Sequence, residues 1–321
     1  MASVIGIDLG GTNIRAGRVD EKGKILKRSA ISTEADKGSK TVMDNIIKAA
    51  KEVAASDVKA AAVVSPGIIN PVTGVAESIA CNIPGWKGMQ MGDNLKKALG
   101  VPGYAENDGN AACLAEAWLG AGRNSPVVLI FTLGTGIGGG VTIDGRIFHG
   151  VKNKVAEFGH ISVEYNGPKC GCGNIGCMEL YASAGAIRRD ARSALKTLKK
   201  GEKSILLDLA GGNIDKVDAK EVCEAVRKGD LLATRVFDRA MGYLASGVGS
   251  LINAFNPSTV VIGGAMSLSW DIIEPRLTTG LKSGRAFAPI LEDCTVKQAE
   301  LGDNAGILGA ARVAWQAISK Q

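Results

Sequence analysis

One histidine and three cysteines lie close together near the middle of the chain. They are His160, Cys170, Cys172 and Cys177. This donor set, with glycines between the cysteines, is typical of a closed tetrahedral site for structural Zn²⁺. Free thiols clustered by chance are the alternative, but exposed cysteines in a loop invite oxidation. Zinc would fix the flanking Glu157 and Glu179, whose carboxylates could then bind several hydroxyls of a sugar. His149, the only other histidine, is interpreted as a surface or turn residue.

A second candidate site is a polar turn that follows a short apolar strand. The residues Glu106-Asn107-Asp108-Gly109-Asn110 begin a predicted helix. Asn and Asp are favoured as helix N-caps, but capping needs only one such residue. Ligands of α/β proteins bind at the carboxyl ends of strands. We therefore interpret Asp108 as a general base that could accept a proton from a substrate hydroxyl attacking ATP.

The chain contains the same glycine-rich hairpin twice, and each copy could bind phosphate. The first begins with Asp8-Leu9-Gly10-Gly11-Thr12-Asn13, and the second extends from Thr132 to Gly140. Glycine lets the backbone approach a phosphate closely and point N–H groups at it. Two such hairpins predict a duplicated, two-domain phosphotransferase that holds a polyphosphate between its turns.

The two hairpins differ in their chemistry. Asp8 ends the first strand with a carboxylate that could hold hydrated Mg²⁺ against a phosphate, whereas Thr132 at the same place can only help to cradle it. The first copy is neither a Walker loop nor a dinucleotide fingerprint, because no Gly-Lys-Ser/Thr and no helix follow it. A third turn, Gly263-Gly264, indicates a nucleotide contact as readily as an ordinary strand end. The predicted contacts of the two hairpins are Asp8, Gly10, Gly11, Thr12, Asn13, Thr132, Gly134, Thr135 and Gly136.

Hydrophobic periodicity places these motifs on an α/β protein of two domains. The domains are predicted at residues 1–119 and 120–302, the second carrying the zinc loop. A C-terminal helix within 303–321 is expected to pack back on the first domain. The predicted strands are 4–8, 14–19, 24–29, 60–64, 103–106 and 259–262, and the principal predicted helices are 41–55, 91–99, 107–119, 233–255 and 307–318.

Composition argues against several classes of protein. No apolar run reaches membrane-spanning length and no signal peptide precedes the first strand, so we expect a cytoplasmic protein without a membrane partner. The net charge is +6, which nucleic-acid binding could explain. However, the densest basic stretch, 188–203, has helical spacing and is interrupted by acids, as a solvated helix face is. Aromatic residues are scarce, which argues against binding of single strands. We expect no nucleic-acid partner.

In these motifs the chain resembles the ROK family (repressors, open reading frames and sugar kinases), and most of all its bacterial glucokinase branch. The resemblance covers nearly the whole chain. Two departures are Ala156 and Ala265, which stand where glycine is common. The matching motifs are Asp8-x-Gly-Gly-Thr-Asn13, Ser65-Pro-Gly67, Asn82-x-Pro-Gly-Trp86, Glu106-Asn-Asp-x-Asn-Ala-Ala, Leu133-Gly-Thr-Gly-x-Gly-Gly, Glu157-x-Gly-His160 and Cys170-Gly-Cys-Gly-x-x-Gly-Cys-x-Glu179.

The resemblance implies an actin-like ATPase fold: two ribonuclease-H-like α/β domains with ATP and sugar in the cleft between them. It implies ATP-dependent phosphorylation of a hexose 6-hydroxyl, glucose above all, with Asp108 as the base, Mg²⁺ and a structural Zn²⁺. It places Gly263-Gly264 beside adenosine and suggests a homodimer or homotetramer. The sugar contacts that it implies are Gly67, Asn82, Asn107, Asp108, Glu157, His160 and Glu179.

Several alternatives stay open. Kinases of N-acetylglucosamine, N-acetylmannosamine, fructose or allose would share the polar ring and differ in the pocket walls. A sugar-responsive transcriptional repressor of the family would carry a helix-turn-helix before the first hairpin. Because Asp8 is the eighth residue, we expect no such domain. The presence of Asp108 and both phosphate loops argues against a non-catalytic sugar-binding module.

Overall fold

Predominantly apolar strands build the first sheet of the computed structural model, which describes residues 2–78, 83–199 and 201–319. The first three strands of the chain form an antiparallel meander, and two later strands run parallel to the first. In spatial order the strands are β3 (Ile25–Ser32), β2 (Asn13–Asp20), β1 (Ser3–Leu9), β4 (Val58–Ser65) and β7 (Gly103–Asn107). Asp8 lies opposite Val64, which lies opposite Glu106. The polar turns after β1, β4 and β7 therefore share one edge of the sheet.

Helices cover both faces of this sheet. One face packs on α1 (Ser39–Val53) and α2 (Met91–Leu99), whose buried residues, such as Ile46 and Leu95, join the core around Ile5 and Ile7. The other face packs on α3 (Asp108–Leu119) and the C-terminal helix, where Val4 and Val64 meet Ala311. A two-stranded hairpin, β5 (Ile69–Asn70) with β6 (Val75–Ala76), follows β4.

A second five-stranded sheet repeats the hairpin of the first. Its strands, in spatial order, are β10 (Arg146–Ile147), β9 (Ile137–Ile143), β8 (Val127–Leu133), β11 (Thr259–Gly263) and β12 (Thr295–Gln298). The remaining helices are α4 (Glu179–Ala182), α5 (Ala184–Lys196), α6 (Leu206–Leu209), α7 (Ala219–Arg227), α8 (Leu231–Phe255), α9 (Trp270–Gly280), α10 (Ala288–Glu292) and α11 (Ala305–Ile318).

The chain divides into two compact units. One contains residues 1–130, 140–156 and 300–321, and the other contains 131–139 and 157–299. The basic stretch 188–203 begins on α5, which buries Ile187, Ala191 and Leu195 and turns its charged residues outward. None of the helices in the described residues is long and apolar enough to cross a membrane.

The C-terminal helix approaches β1 closely because two glycines remove the side chains between them. A Cβ atom at Gly6 would overlap the carbonyl oxygen of Ile307, and a Cβ atom at Gly309 would overlap that of Ala111. Backbone atoms of α11 thus contact β1 and α3 directly. This contact holds the first residues of α11 beside Asp8, since a Cβ atom at Gly306 would overlap the Asp8 carboxyl group.

We predict that Gly6→Ala destabilises the protein by about 1–3 kcal/mol, because the added methyl group forces α11 away from β1. The free energy of unfolding, measured by urea titration, checks this. Gly242→Ala is the matched control: nothing lies within 4 Å of a Cβ atom there, and alanine has the higher helix propensity. Equal stability of Gly6→Ala and wild type would contradict this packing.

Candidate active site

The turn between β7 and α3 is built around Asn107. Its side-chain oxygen caps the helix by accepting a hydrogen bond from the N–H of Asn110 at 3.0 Å. Its amide nitrogen donates to the carbonyl oxygen of Gly67 at 2.9 Å and to Oδ1 of Asp108 at 3.1 Å. One side chain thereby starts α3, holds the turn after β4 and orients Asp108. The structure thus brings together three of the predicted sugar contacts, Gly67, Asn107 and Asp108.

Asp108 carries a carboxylate that could act as a base. The residue is exposed to solvent, but neighbouring protein atoms displace part of the water around its carboxyl group. This desolvation raises the pKa of Asp108 above its ordinary value, and hydrogen bonds from the Gly109 N–H and the Asn107 amide oppose the rise. A carboxylate with a raised pKa accepts a proton more readily, which suits a general base working near neutral pH.

A buried carboxylate, that of Glu106, lies two residues before Asp108 at the end of β7. Glu106 is 1% exposed, and its Oε1 accepts hydrogen bonds from the Asn107 N–H at 2.8 Å and the Asn110 amide at 3.1 Å. Its Oε2 lies 2.6 Å from Nε2 of His149. His149 is thus a partly exposed loop residue, as interpreted, but it also pairs with a buried carboxylate, which was not predicted from the sequence. One chemical signal could have predicted this pair. A glutamate at the buried end of a strand needs a hydrogen-bond donor for each carboxylate oxygen.

The first glycine hairpin is a tight turn fixed by backbone hydrogen bonds. Gly10 N–H donates to the carbonyl oxygen of Asn13 at 3.1 Å, and the Thr33 side chain and N–H donate to the carbonyl oxygens of Gly10 and Thr12. Nothing lies within 4 Å of a Cβ atom placed on Gly11. Hydrogen bonds from Thr33 thus hold the turn, and the space beside Gly11 could admit a phosphate.

Asp8 stands at the end of β1, beside this turn. Desolvation raises the pKa of Asp8 to about 6; Arg15 opposes the rise, whereas the negative charges of Asp108 and Asp303 add to it. A hydrated divalent cation bound beside Asp8 would offset these negative charges. This is the chemistry expected of a residue that holds hydrated Mg²⁺.

The second hairpin belongs to the other unit and is held by different partners. Gly134 N–H donates to the carbonyl oxygen of Gly136 at 2.9 Å. The N–H of Ala184, the first residue of α5, donates to the carbonyl oxygen of Gly134 at 2.8 Å. A Cβ atom at Gly138 would lie 2.6 Å from Oγ1 of Thr132, and one at Gly264 would overlap the carbonyl oxygen of Leu133. The turns 134–136 and 263–264 therefore lie side by side, and a nucleotide could contact both.

Glu179, a predicted sugar contact, and the turn that carries Glu157 and His160 lie against this second hairpin. Oε2 of Glu179 accepts a hydrogen bond from the Ile137 N–H at 2.9 Å. A Cβ atom at Gly159, in the turn of Glu157 and His160, would overlap the carbonyl oxygen of the same Ile137. The sequence motifs suggested a sugar contact for Glu179 and missed its hydrogen bond to the second glycine hairpin. The N–H of Ile137 thus bonds to Glu179, and its carbonyl oxygen packs against Gly159.

The four predicted metal ligands come together. His160 ends a short 3-10 helix, Phe158–His160, and its ligand atom lies within 4.8 Å of the three cysteine sulfurs. The Sγ atoms of Cys172 and Cys177 are 3.7 Å apart. Sulfurs bound tetrahedrally to zinc at about 2.3 Å stand about 3.8 Å apart, so the thiols fit this ion. The turn between Cys170 and Cys177 positions them, with Cys170 N–H donating to the Asn174 carbonyl oxygen at 2.7 Å.

The predicted sugar contacts are distributed over both units. Gly67, Asn107 and Asp108 belong to the first, whereas Glu157, His160 and Glu179 belong to the second. Asn82 lies outside the described residues. Trp86, which follows it, is buried and donates from Nε1 to Oγ of Ser65 at 3.0 Å, so it packs the loop.

Comparison with known proteins identifies the family, since the model of the ROK family matches residues 4–317. The chain belongs to the ROK family. A glucokinase of Thermotoga maritima is 40% identical to this ROK protein over 313 residues, which cover 97% of this chain and 96% of the relative.

Solved ROK structures share the fold. A ROK family glucokinase from Streptomyces griseus, in complex with glucose and AMPPNP, gives a TM-score of 0.82 at 33% identity and covers 98% of this chain and 100% of its own. A ROK hexokinase from Thermus thermophilus gives a TM-score of 0.81 at 32% identity and covers 99% of this chain and 100% of its own. The predicted actin-like ATPase fold of two α/β domains is confirmed.

We predict that Asp8→Asn stabilises the protein by about 1–3 kcal/mol at pH 8. An aspartate whose pKa is raised to about 6 by folding destabilises the native state once ionised. The gain should therefore be complete above pH 6 and shrink as the pH falls through 6 towards 4. Urea titrations at pH 5 and 8 test this, with the exposed Asp36→Asn as control. A gain that grows as the pH falls would contradict the burial of a destabilising charge.

Proposed function

We propose that this ROK protein transfers the γ-phosphoryl group of ATP to the 6-hydroxyl of glucose. The observation that carries the proposal is Asp108: a carboxylate of raised pKa, oriented by Asn107, at the carboxyl end of a parallel strand. Its position in the chain matches that of the sugar-kinase motif, and the relatives named glucokinase align over nearly the whole chain.

In the proposed reaction, Asp108 accepts the proton of the sugar 6-hydroxyl. The oxygen then bonds to the γ-phosphorus of ATP as the bond from phosphorus to the β,γ-bridging oxygen breaks, and ADP leaves. Little else is needed from protein side chains, since phosphoryl transfer depends mainly on positioning and on stabilising charge. Expulsion of water from the closed site would keep hydrolysis from competing.

The two hairpins would hold the nucleotide. Asp8, Gly10, Gly11, Thr12 and Asn13 would lie at the phosphates on one side, and Mg²⁺ bound through water to Asp8 would neutralise their charge. The second set of contacts would be Thr132, Gly134, Thr135 and Gly136, with Gly263 and Gly264 beside adenosine. The open space beside Gly11 and Gly134 supports this assignment.

The sugar would be bound by polar side chains from both units. Asn82, Asn107, Asp108, Glu157, His160 and Glu179 would contact its hydroxyls, together with the backbone at Gly67. Zn²⁺ held by His160, Cys170, Cys172 and Cys177 would be structural, because all four protein ligands are used. Because these ligands lie between Glu157 and Glu179 in the sequence, the bound metal would fix both carboxylates.

We further propose domains at 1–119 with 303–321 and at 120–302, a cytoplasmic location, and a homodimer or homotetramer that binds neither nucleic acid nor membrane. The packing of α11 on β1 supports the return of the C-terminus to the first domain. An N-acetylhexosamine or fructose kinase is the alternative activity, which a sugar panel distinguishes.

An ADP-release assay over glucose, mannose, fructose, N-acetylglucosamine and N-acetylmannosamine tests the activity. We expect the highest kcat/KM with glucose, and Asp108→Asn should lower kcat by about 100-fold or more because the proton acceptor is lost. Glucose binding, measured by calorimetry, should persist in the variant. Near-normal turnover of Asp108→Asn would contradict the mechanism. A higher kcat/KM with another sugar of the panel would contradict glucose as the substrate.

We also expect one zinc per chain in protein purified without chelator, measured by plasma emission spectroscopy. Cys177→Ser should lose the metal and raise KM for glucose, because the turn that carries His160 loses its anchor. Cys223→Ser, a buried cysteine away from the cluster, is the control and should keep the zinc. Metal-free wild-type protein would exclude a zinc site.

A further inference from the structure

The two oxygens of Glu106 are used differently. Oε1 accepts two hydrogen bonds from the helix start, one from the Asn107 N–H and one from the Asn110 amide. Oε2 has the imidazole of His149 as its partner, at 2.6 Å. An ionised Glu106 can only accept at Oε2, and the Nε2–H tautomer of His149 supplies the matching donor.

His149 comes from a distant part of the chain. It follows β10 and precedes Gly150, whose φ of 59° bends the loop. This loop continues through residues 151–156 to Glu157, a proposed sugar contact. The imidazole is about one-third exposed, with 31% of its side-chain surface accessible. A small molecule in solution could therefore reach the place that the imidazole occupies.

We propose that His149 is a positioning residue for sugar phosphorylation, acting through Glu106 on Asn107 and Asp108. The inference rests on the proposed function. The imidazole fixes Oε2 of Glu106, and Oε1 then holds the Asn107 N–H and the Asn110 amide. Asn107 in turn holds Asp108 and the Gly67 carbonyl oxygen.

Loss of the imidazole would leave a buried carboxylate oxygen without a donor. Such an oxygen must be protonated, recruit water or rotate towards another partner. Each of these changes weakens or moves the bonds that Oε1 makes to the start of α3. A displacement of about 1 Å at reacting groups can reduce catalysis about 100-fold. The sugar side of the site would be affected, whereas the phosphate loops make none of these bonds.

Kinetics of His149 variants test the proposal. His149→Phe keeps the ring volume and removes the donor, and we expect kcat to fall about 10- to 100-fold. KM for glucose should rise while KM for ATP stays near the wild-type value. His149→Gln places an amide N–H within reach of Glu106 and should restore most of the loss. Added imidazole should likewise restore turnover to His149→Ala, since it can occupy the exposed space.

The control is Val151→Ala, a change of an 84% exposed side chain in the same loop, which should leave all constants unchanged. Wild-type kcat in His149→Phe would overturn the proposal. A loss that neither glutamine nor imidazole reverses, or an equal rise in KM for ATP, would show a general structural role and overturn it too. If His149→Phe does not fold, the imidazole titration of His149→Ala decides.

These results are distinguishable from failure of the proposed function. Wild-type protein, assayed in parallel, would then release no ADP with any sugar. The inference would in that case be judged by calorimetric binding of glucose, which should weaken in His149→Phe and recover in His149→Gln. Unchanged binding in both variants would contradict it.

Discussion

The constraint on which the site depends is the single-residue turn from β7 into α3. A parallel strand and a helix must meet there without leaving backbone groups unpaired, and Asn107 satisfies this by capping α3 while its amide binds Gly67 and Asp108. The buried carboxylate of Glu106 completes the turn from behind. Asp108 is thus held at the sheet edge, and the protein that surrounds it raises its pKa.

Close backbone contacts position the remaining parts. Glycines let α11 touch β1 and reach the carboxyl group of Asp8, so the turn that would face the phosphates is supported by the C-terminal helix. In the other unit, Ile137 joins the second glycine hairpin to Glu179 and to the turn of Glu157 and His160. Elements that are far apart in sequence are therefore coupled through a few backbone atoms.

Local patterns predicted the elements well where one signal dominated. The helix at 91–99 and the strands at 60–64 and 259–262 were found to within two residues, and the metal-ligand spacing anticipated the cluster around His160. The pair of His149 and Glu106 was missed because it joins residues 43 positions apart, and no periodicity records such a contact. The bond from Ile137 to Glu179 was missed for the same reason.

In the proposed reaction, Asp108, held by this turn, faces the hydroxyl that becomes phosphorylated. A crystal structure of Asp108→Asn with glucose and a non-hydrolysable ATP analogue would show whether it does. We expect the sugar 6-oxygen within hydrogen-bond distance of the residue 108 side chain, about 3 Å, and in line with the γ-phosphorus. A sugar bound with another hydroxyl at this place, or with its 6-oxygen turned away from residue 108, would rule out this role for Asp108.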